Sequence, residues 1–243
     1  MLSVKPWKAE AILRLILYLL VCFVFGSLAA AFLHHRTGVQ TVSIGQMIVA
    51  AVSFQGATLV LVTRFLHEHG TTWAEGFGLQ RQWPRAVLFG LVFASLFLPL
   101  GWALQWLSAQ AMLHFPQLHL KPEEQQAVQT LQLAVTWGHR LVLGLITILL
   151  APIAEEVLFR GILYSWIKSA GFPRSALWST TFLFAAIHWN LATFIPLAAL
   201  ALMLALLYER MDNLLAPIAA HALFNAANFA MLYSLQDKLL QSP

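Results

Sequence analysis

Seven stretches of the chain are mainly apolar: 11–33, 44–66, 86–108, 141–167, 175–190, 192–208 and 214–234. A hydrocarbon core about 30 Å thick is crossed by roughly 20 mainly apolar helical residues. The pattern therefore predicts an all-α fold, a polytopic membrane helix bundle of about seven to eight transmembrane helices, in a single membrane domain covering 1–243. The fifth and sixth stretches are short and tightly joined, as in a hairpin that does not fully cross. Lys5, Lys8 and Arg14 precede the first stretch, and Ala29, Ala30 and Ala31 resemble a signal cleavage site. Its apolar run of about 23 residues exceeds the roughly 7–15 of a signal h-region, so it is read as a retained span. No repeat or low-complexity tract stands out. The longest connection, 109–140, contains Lys121-Pro122-Glu123-Glu124, which reads as a helix start. Proline suits the first turn, and acids suit the positive end of the helix dipole. The amphipathic stretch 125–135 behind it is read as an interfacial connecting helix.

Composition agrees with the pattern and narrows the class. Of 243 residues, 60% are apolar and 10% charged, against roughly 45–50% and about 25% in soluble chains. That excludes a soluble domain and a disordered chain. The single cysteine, Cys22, cannot form an intrachain disulfide. A net charge of +4, spread along the chain, suits loops at a lipid bilayer and speaks against nucleic acid as a partner. Cationic loops favour the cytoplasmic side. Lys5, Lys8, Arg14, Arg64, Arg81, Arg85, Lys168, Arg174 and Arg210 fall on one side of the predicted spans, and Arg36, Lys121, Arg140 and Lys238 on the other. The bias predicts a multi-pass protein of a bacterial inner membrane with a cytoplasmic N-terminus.

Ionisable groups within a bilayer are costly and read as functional. Glu155, Glu156, His188 and His221 stand well inside predicted spans, with Arg160 in the same helix as the acids and Asn225 one turn beyond His221. Glu156 and Arg160, four apart, share a helix face, whereas Glu155 is rotated by about 100° from its neighbour. Arg160 therefore cannot serve both acids equally, and one glutamate is left to face a cavity. By helical rise, Glu155 and His188 lie roughly 20 Å from the ends of their spans, and His221 and Asn225 about 10–16 Å. Pro152 and Pro217 precede these residues and are read as opening bends.

Two histidines and a glutamate form the ligand set of several catalytic zinc sites. Alternatively, a glutamate base activates water while the histidines and asparagine stabilise an oxyanion. Both routes hydrolyse an amide. Rival intramembrane chemistries lack their residues. The aspartates, Asp212 and Asp237, lie at span ends, no HExxH occurs, and no Gly-x-Ser-x-Gly nucleophile site is present. Two other readings fit buried acids in a membrane protein: a non-catalytic immunity or scaffold protein, and an ion or proton transporter.

Glu155, Glu156 and Arg160 stand in the order EExxxR, Phe184 and His188 form FxxxH, and His221 and Asn225 form HxxxN. In that order, across roughly 140–230, they resemble the CPBP intramembrane proteases. That group contains the type II CAAX prenyl endopeptidases (Rce1-like) and the bacterial Abi or lysostaphin-resistance proteins. The resemblance implies a protease acting on a membrane-associated peptide or protein substrate, of which the CAAX-type prenylated form is one class. It implies that Glu155 activates water, Glu156 supports it, and Arg160 partners the glutamate pair. His188 and His221 would bind or orient water or metal, and Asn225 would stabilise the oxyanion, with Phe184 as packing. It allows either Zn2+ held by Glu155, His188 and His221 or a metal-free glutamate mechanism.

Overall fold

The computed structural model describes residues 3, 5, 7–37, 43–114 and 136–241; the Lys121-Pro122-Glu123-Glu124 helix start and the stretch 125–135 lie outside them. The regular elements among the described residues are helices: α1 (Ala9–Thr37), α2 (Ile44–Glu68), α3 (Trp73–Phe77), α4 (Trp83–His114), α5 (Trp137–Ser169), α6 (Pro173–Ala186), α7 (Leu191–Met211) and α8 (Leu215–Gln241). Six of these, α1, α2, α4, α5, α7 and α8, are long and apolar enough to cross a membrane. The stretch 175–190 forms α6, whose 14 residues reach only about 21 Å. Seven apolar stretches therefore become six long helices and one short arm, which turns through 187–190 into α7.

Helix α7 is the axis of the bundle. Its most apolar window is 56% buried, against 17–39% in the other five long helices. Leu200, Ala201 and Leu204 expose nothing, and its alanines let neighbouring backbones approach closely. By contrast α1 turns Leu17, Phe25 and Phe32 outward, as a lipid-facing helix does. Helices α4 and α8 pack against each other where Gly90 and Gly101 leave room for Ala216 and Phe224, and Trp102 Nε1 donates to Asn228 Oδ1 at 2.9 Å. A Cβ on Gly90 would run into the Ala216 carbonyl oxygen and the Ala219 methyl. Gly90→Ala is therefore expected to destabilise the protein by roughly 1–3 kcal/mol through overpacking. Thermal unfolding in detergent checks this, and an unchanged Tm would contradict the close approach. Pro217, expected to bend its helix, sits in the first turn of α8, where N–H groups lack intrahelical partners and no bond is lost.

Among the described residues, three wide, π-type turns interrupt the long helices: Val52–Gly56 in α2, and Ile146–Leu150 and Val157–Tyr164 in α5. Such turns are favoured at functional sites. The second abuts Pro152, whose ring would clash with the carbonyl four residues back in a regular helix. The wider turns also change the hydrogen-bond accounting. The Ala151 N–H bonds the Ile146 carbonyl, so the Thr147 carbonyl is released to accept from Asn225 Nδ2 at 2.8 Å. In the third turn, the Gly161 carbonyl accepts from Trp7 Nε1 at 3.0 Å and the Arg160 carbonyl from the Ser165 hydroxyl at 2.8 Å.

Most cations that the sequence assigns to one side gather at one end of the bundle. Arg81 pairs with Asp212, which also accepts from Ser3 and lies 3.9 Å from Lys5. Burial pushes the Lys5 ammonium below the usual lysine range, and Asp212 partly opposes that shift. Lys168 pairs with Glu209, and Arg14 with Glu68 at 2.7 Å. Short α3 closes this end. Thr72 caps it, Gly78 leaves it at φ +67°, and the Leu214 N–H bonds the Phe77 carbonyl at 3.0 Å. A Cβ on Gly78 would run into the Asp212 carbonyl, so its left-handed backbone and the lack of space both require glycine.

Candidate active site

Beyond that end, within the bundle, α5 presents two acids to different surroundings. Glu156 has no exposed surface. Its Oε1 accepts from Arg160 Nη1 at 2.8 Å and lies 2.9 Å from His221 Nδ1. Arg160, also buried, donates through Nη2 to the Ala201 carbonyl of α7 at 3.0 Å, and its guanidinium lies 4.7 Å from the centre of the Phe184 ring. Glu156 is thus the glutamate that the arginine holds. Glu155 escapes that network; its side chain keeps 14% exposure, and its Oε2 stands 3.9 Å from His221 Nε2.

His221 therefore lies between the two carboxylates. With Nδ1–H assigned as the donor to Glu156, Nε2 carries the lone pair that faces Glu155. A carboxylate fixing the tautomer through the far ring nitrogen is the usual way in which a working histidine is oriented. His188 is placed differently from the sequence expectation. It lies in the turn behind α6 rather than inside a helix, half-buried, with Nδ1 bonded to the Phe184 carbonyl at 2.7 Å. Its Nε2 makes no hydrogen bond among the described residues. Trp189 beside it adopts φ +48° and is almost fully exposed.

Phe184 joins the pieces. Fully buried, its ring lies 4.9 Å from that of His188 and 5.8 Å from that of His221, besides its contact with Arg160. Glu155, Glu156, Arg160 and His221 form one cluster, and His188 reaches it through Phe184. Asn225 lies one turn along α8, and its amide nitrogen donates one hydrogen bond to the Thr147 carbonyl. Among the described residues no hydrogen bond joins His188 to either glutamate. Nor do any three His, Cys, Asp or Glu side chains among them stand close enough to hold a metal ion. Glu155, His188 and His221 are thus chemically a zinc-type set, but their arrangement does not fit one ion, and no step below passes through a metal.

Sequence reasoning missed Gln55. It sits in the wide turn of α2 that packs on 151–156, and its side-chain oxygen is buried without a hydrogen-bond partner among the described residues. A lone amide in an apolar run is the signal that was there to read.

Residues 136–227 match the model of the type II CAAX prenyl endopeptidase Rce1-like family. Over 82 residues the chain is 37% identical to a Bacillus subtilis (strain 168) protein described as uncharacterized protein YpbD. That alignment covers 32% of this chain and 39% of the relative, so the chain spans about two-fifths of the curated protein that it matches. No solved structure matches.

Proposed function

We propose that this integral membrane protein, Rce1-like over residues 136–227, is an intramembrane endopeptidase that uses Glu155 to activate water. The observation that carries the reading is the asymmetry of the two acids. Buried Glu156 clamps Arg160 and His221, while Glu155 faces the free nitrogen of His221 across 3.9 Å. That separation exceeds a hydrogen bond and suits a reacting water held by both groups.

Glu155 takes a proton as the water oxygen attacks the peptide carbonyl carbon. The tetrahedral oxyanion forms beside the histidines, and His188 Nε2, when protonated, donates to it. The C–N bond then breaks, and the proton held by Glu155 passes to the leaving amine nitrogen. The products are a carboxylic acid and an amine. Arg160 remains outside the reaction and holds Glu156, which in turn holds His221. With the N-terminus in the cytoplasm, the charged end faces that side, and the substrate is a membrane-associated peptide cleaved within the bundle. A prenylated C-terminal peptide is the form that the family implies.

The test is cleavage by the purified full chain, with prenylated and unprenylated membrane peptides compared. Glu155→Ala and His188→Ala are both expected to lose it. Because Glu155, His188 and His221 do not converge on one ion, the parent is expected to retain cleavage after chelation and to carry no stoichiometric metal. Full activity in both variants would overturn the protease reading in favour of a non-catalytic membrane partner. One equivalent of metal, lost in His221→Ala, would overturn only the metal-free route.

A further inference from the structure

At the charged end, away from the glutamates, a cavity of about 300 Å³ opens where α7 ends and α4 begins. Arg81, Arg85 and Arg210 line it together with Gln82, Phe89 and Met211. Its electrostatics are unbalanced. The nearby acid, Asp212, is shared by Arg81, Lys5 and Ser3, and Glu209 is engaged by Lys168 and Tyr164. Arg85 donates to the neutral Gln82 amide oxygen at 3.3 Å and lies 5.4 Å from the centre of the Phe89 ring. Arg210 makes no hydrogen bond or ion pair among the described residues.

Arginines that line one cavity suit a phosphate group, which guanidinium groups bind in bidentate fashion. The apolar part of the lining argues for an amphipathic ligand. Phe89 and Met211 sit beside the arginines, and Trp83, Leu88 and Leu206 are exposed on the same two helices. Basic pockets between membrane helices on the cytoplasmic side are where acidic headgroups dock. We propose that Arg81, Arg85 and Arg210 form a phosphate-binding site for the headgroup of an anionic phospholipid. The site seats one lipid at the junction of α4 and α7 and is separate from the hydrolytic chemistry.

The full chain, purified in detergent, is titrated with phosphatidylglycerol, phosphatidylcholine and inorganic phosphate, and binding is read by native mass spectrometry and thermal shift. Arg81 is left intact because it holds Asp212. Phosphatidylglycerol is expected to bind the parent, and to bind Arg85→Ala/Arg210→Ala roughly 30-fold more weakly. Lys8→Ala/Arg174→Ala removes the same charge from exposed positions elsewhere at this end, and is expected to bind as the parent does. Arg85→Lys/Arg210→Lys keeps the charge but not the fork and is expected to fall between. A matching, arginine-dependent response to inorganic phosphate would uphold the phosphate site and make free phosphate its source. Equal binding of phosphatidylglycerol by the parent and Arg85→Ala/Arg210→Ala overturns the proposal, as does equal loss in the Lys8→Ala/Arg174→Ala control or undiminished binding of phosphatidylcholine.

Discussion

Glu155→Gln is expected to give a protein that folds and melts like its parent and cleaves its peptide roughly a hundred- to ten-thousand-fold more slowly. The substitution keeps the shape and removes the base. Stability is expected to hold because Glu155 takes no part in the buried network. Its Oε2 stands 3.9 Å from His221 Nε2, beyond hydrogen-bond reach, and its side chain retains exposure. The deficit belongs in kcat with KM little changed, since a group that acts by accepting a proton contributes mainly in the transition state. Single-turnover cleavage alongside a melting curve measures both halves. A variant that unfolds with its loss of activity would show instead that Glu155 is structural.

Arg160→Ala is expected to be the most destabilising substitution in the cluster, at about 3–5 kcal/mol. Removing the guanidinium strands Glu156, which has no exposed surface and already carries one buried oxygen without a hydrogen-bond partner among the described residues. It also frees the Ala201 carbonyl and withdraws the charge packed on Phe184. Pairing Glu156→Gln with Arg160→Met removes both charges and is expected to recover much of the loss, because the cost lies in an unpaired buried ion. Denaturation in detergent of the two singles and the double reads the coupling. Additive losses would mean that the two residues do not act as a pair.

These residues were legible because charge is so scarce in the apolar stretches. A glutamate, arginine or histidine in a membrane helix has few reasons to be there, and the four-residue spacing of Glu156 and Arg160 already implied their bond. Side-chain spacing could not show partners that are backbone groups. The Thr147 and Ala201 carbonyls become partners only through helix geometry and packing. The end of α6 carries neither glycine nor proline, and for that reason the sequence predicts His188 inside a helix while the chain turns there. Apolar runs also show that a helix forms more surely than how far it runs. The stretch 175–190 carries serine, threonine and asparagine among its apolar residues, and its helix ends after 14 residues, where the turn presents His188.

The wide turn Val157–Tyr164 bears on how this chain tolerates insertions and deletions. A π-type turn holds more residues per unit length than the helix around it. Loss of one residue there would let α5 tighten into regular winding with both of its ends in place, a change that most membrane helices cannot absorb. What would vanish are the open carbonyls at Arg160 and Gly161, and with them the sockets for Ser165 and Trp7. The surplus residue thus ties the start of the chain to the helix that carries the glutamates, and a shortened relative would have to anchor that segment by other means.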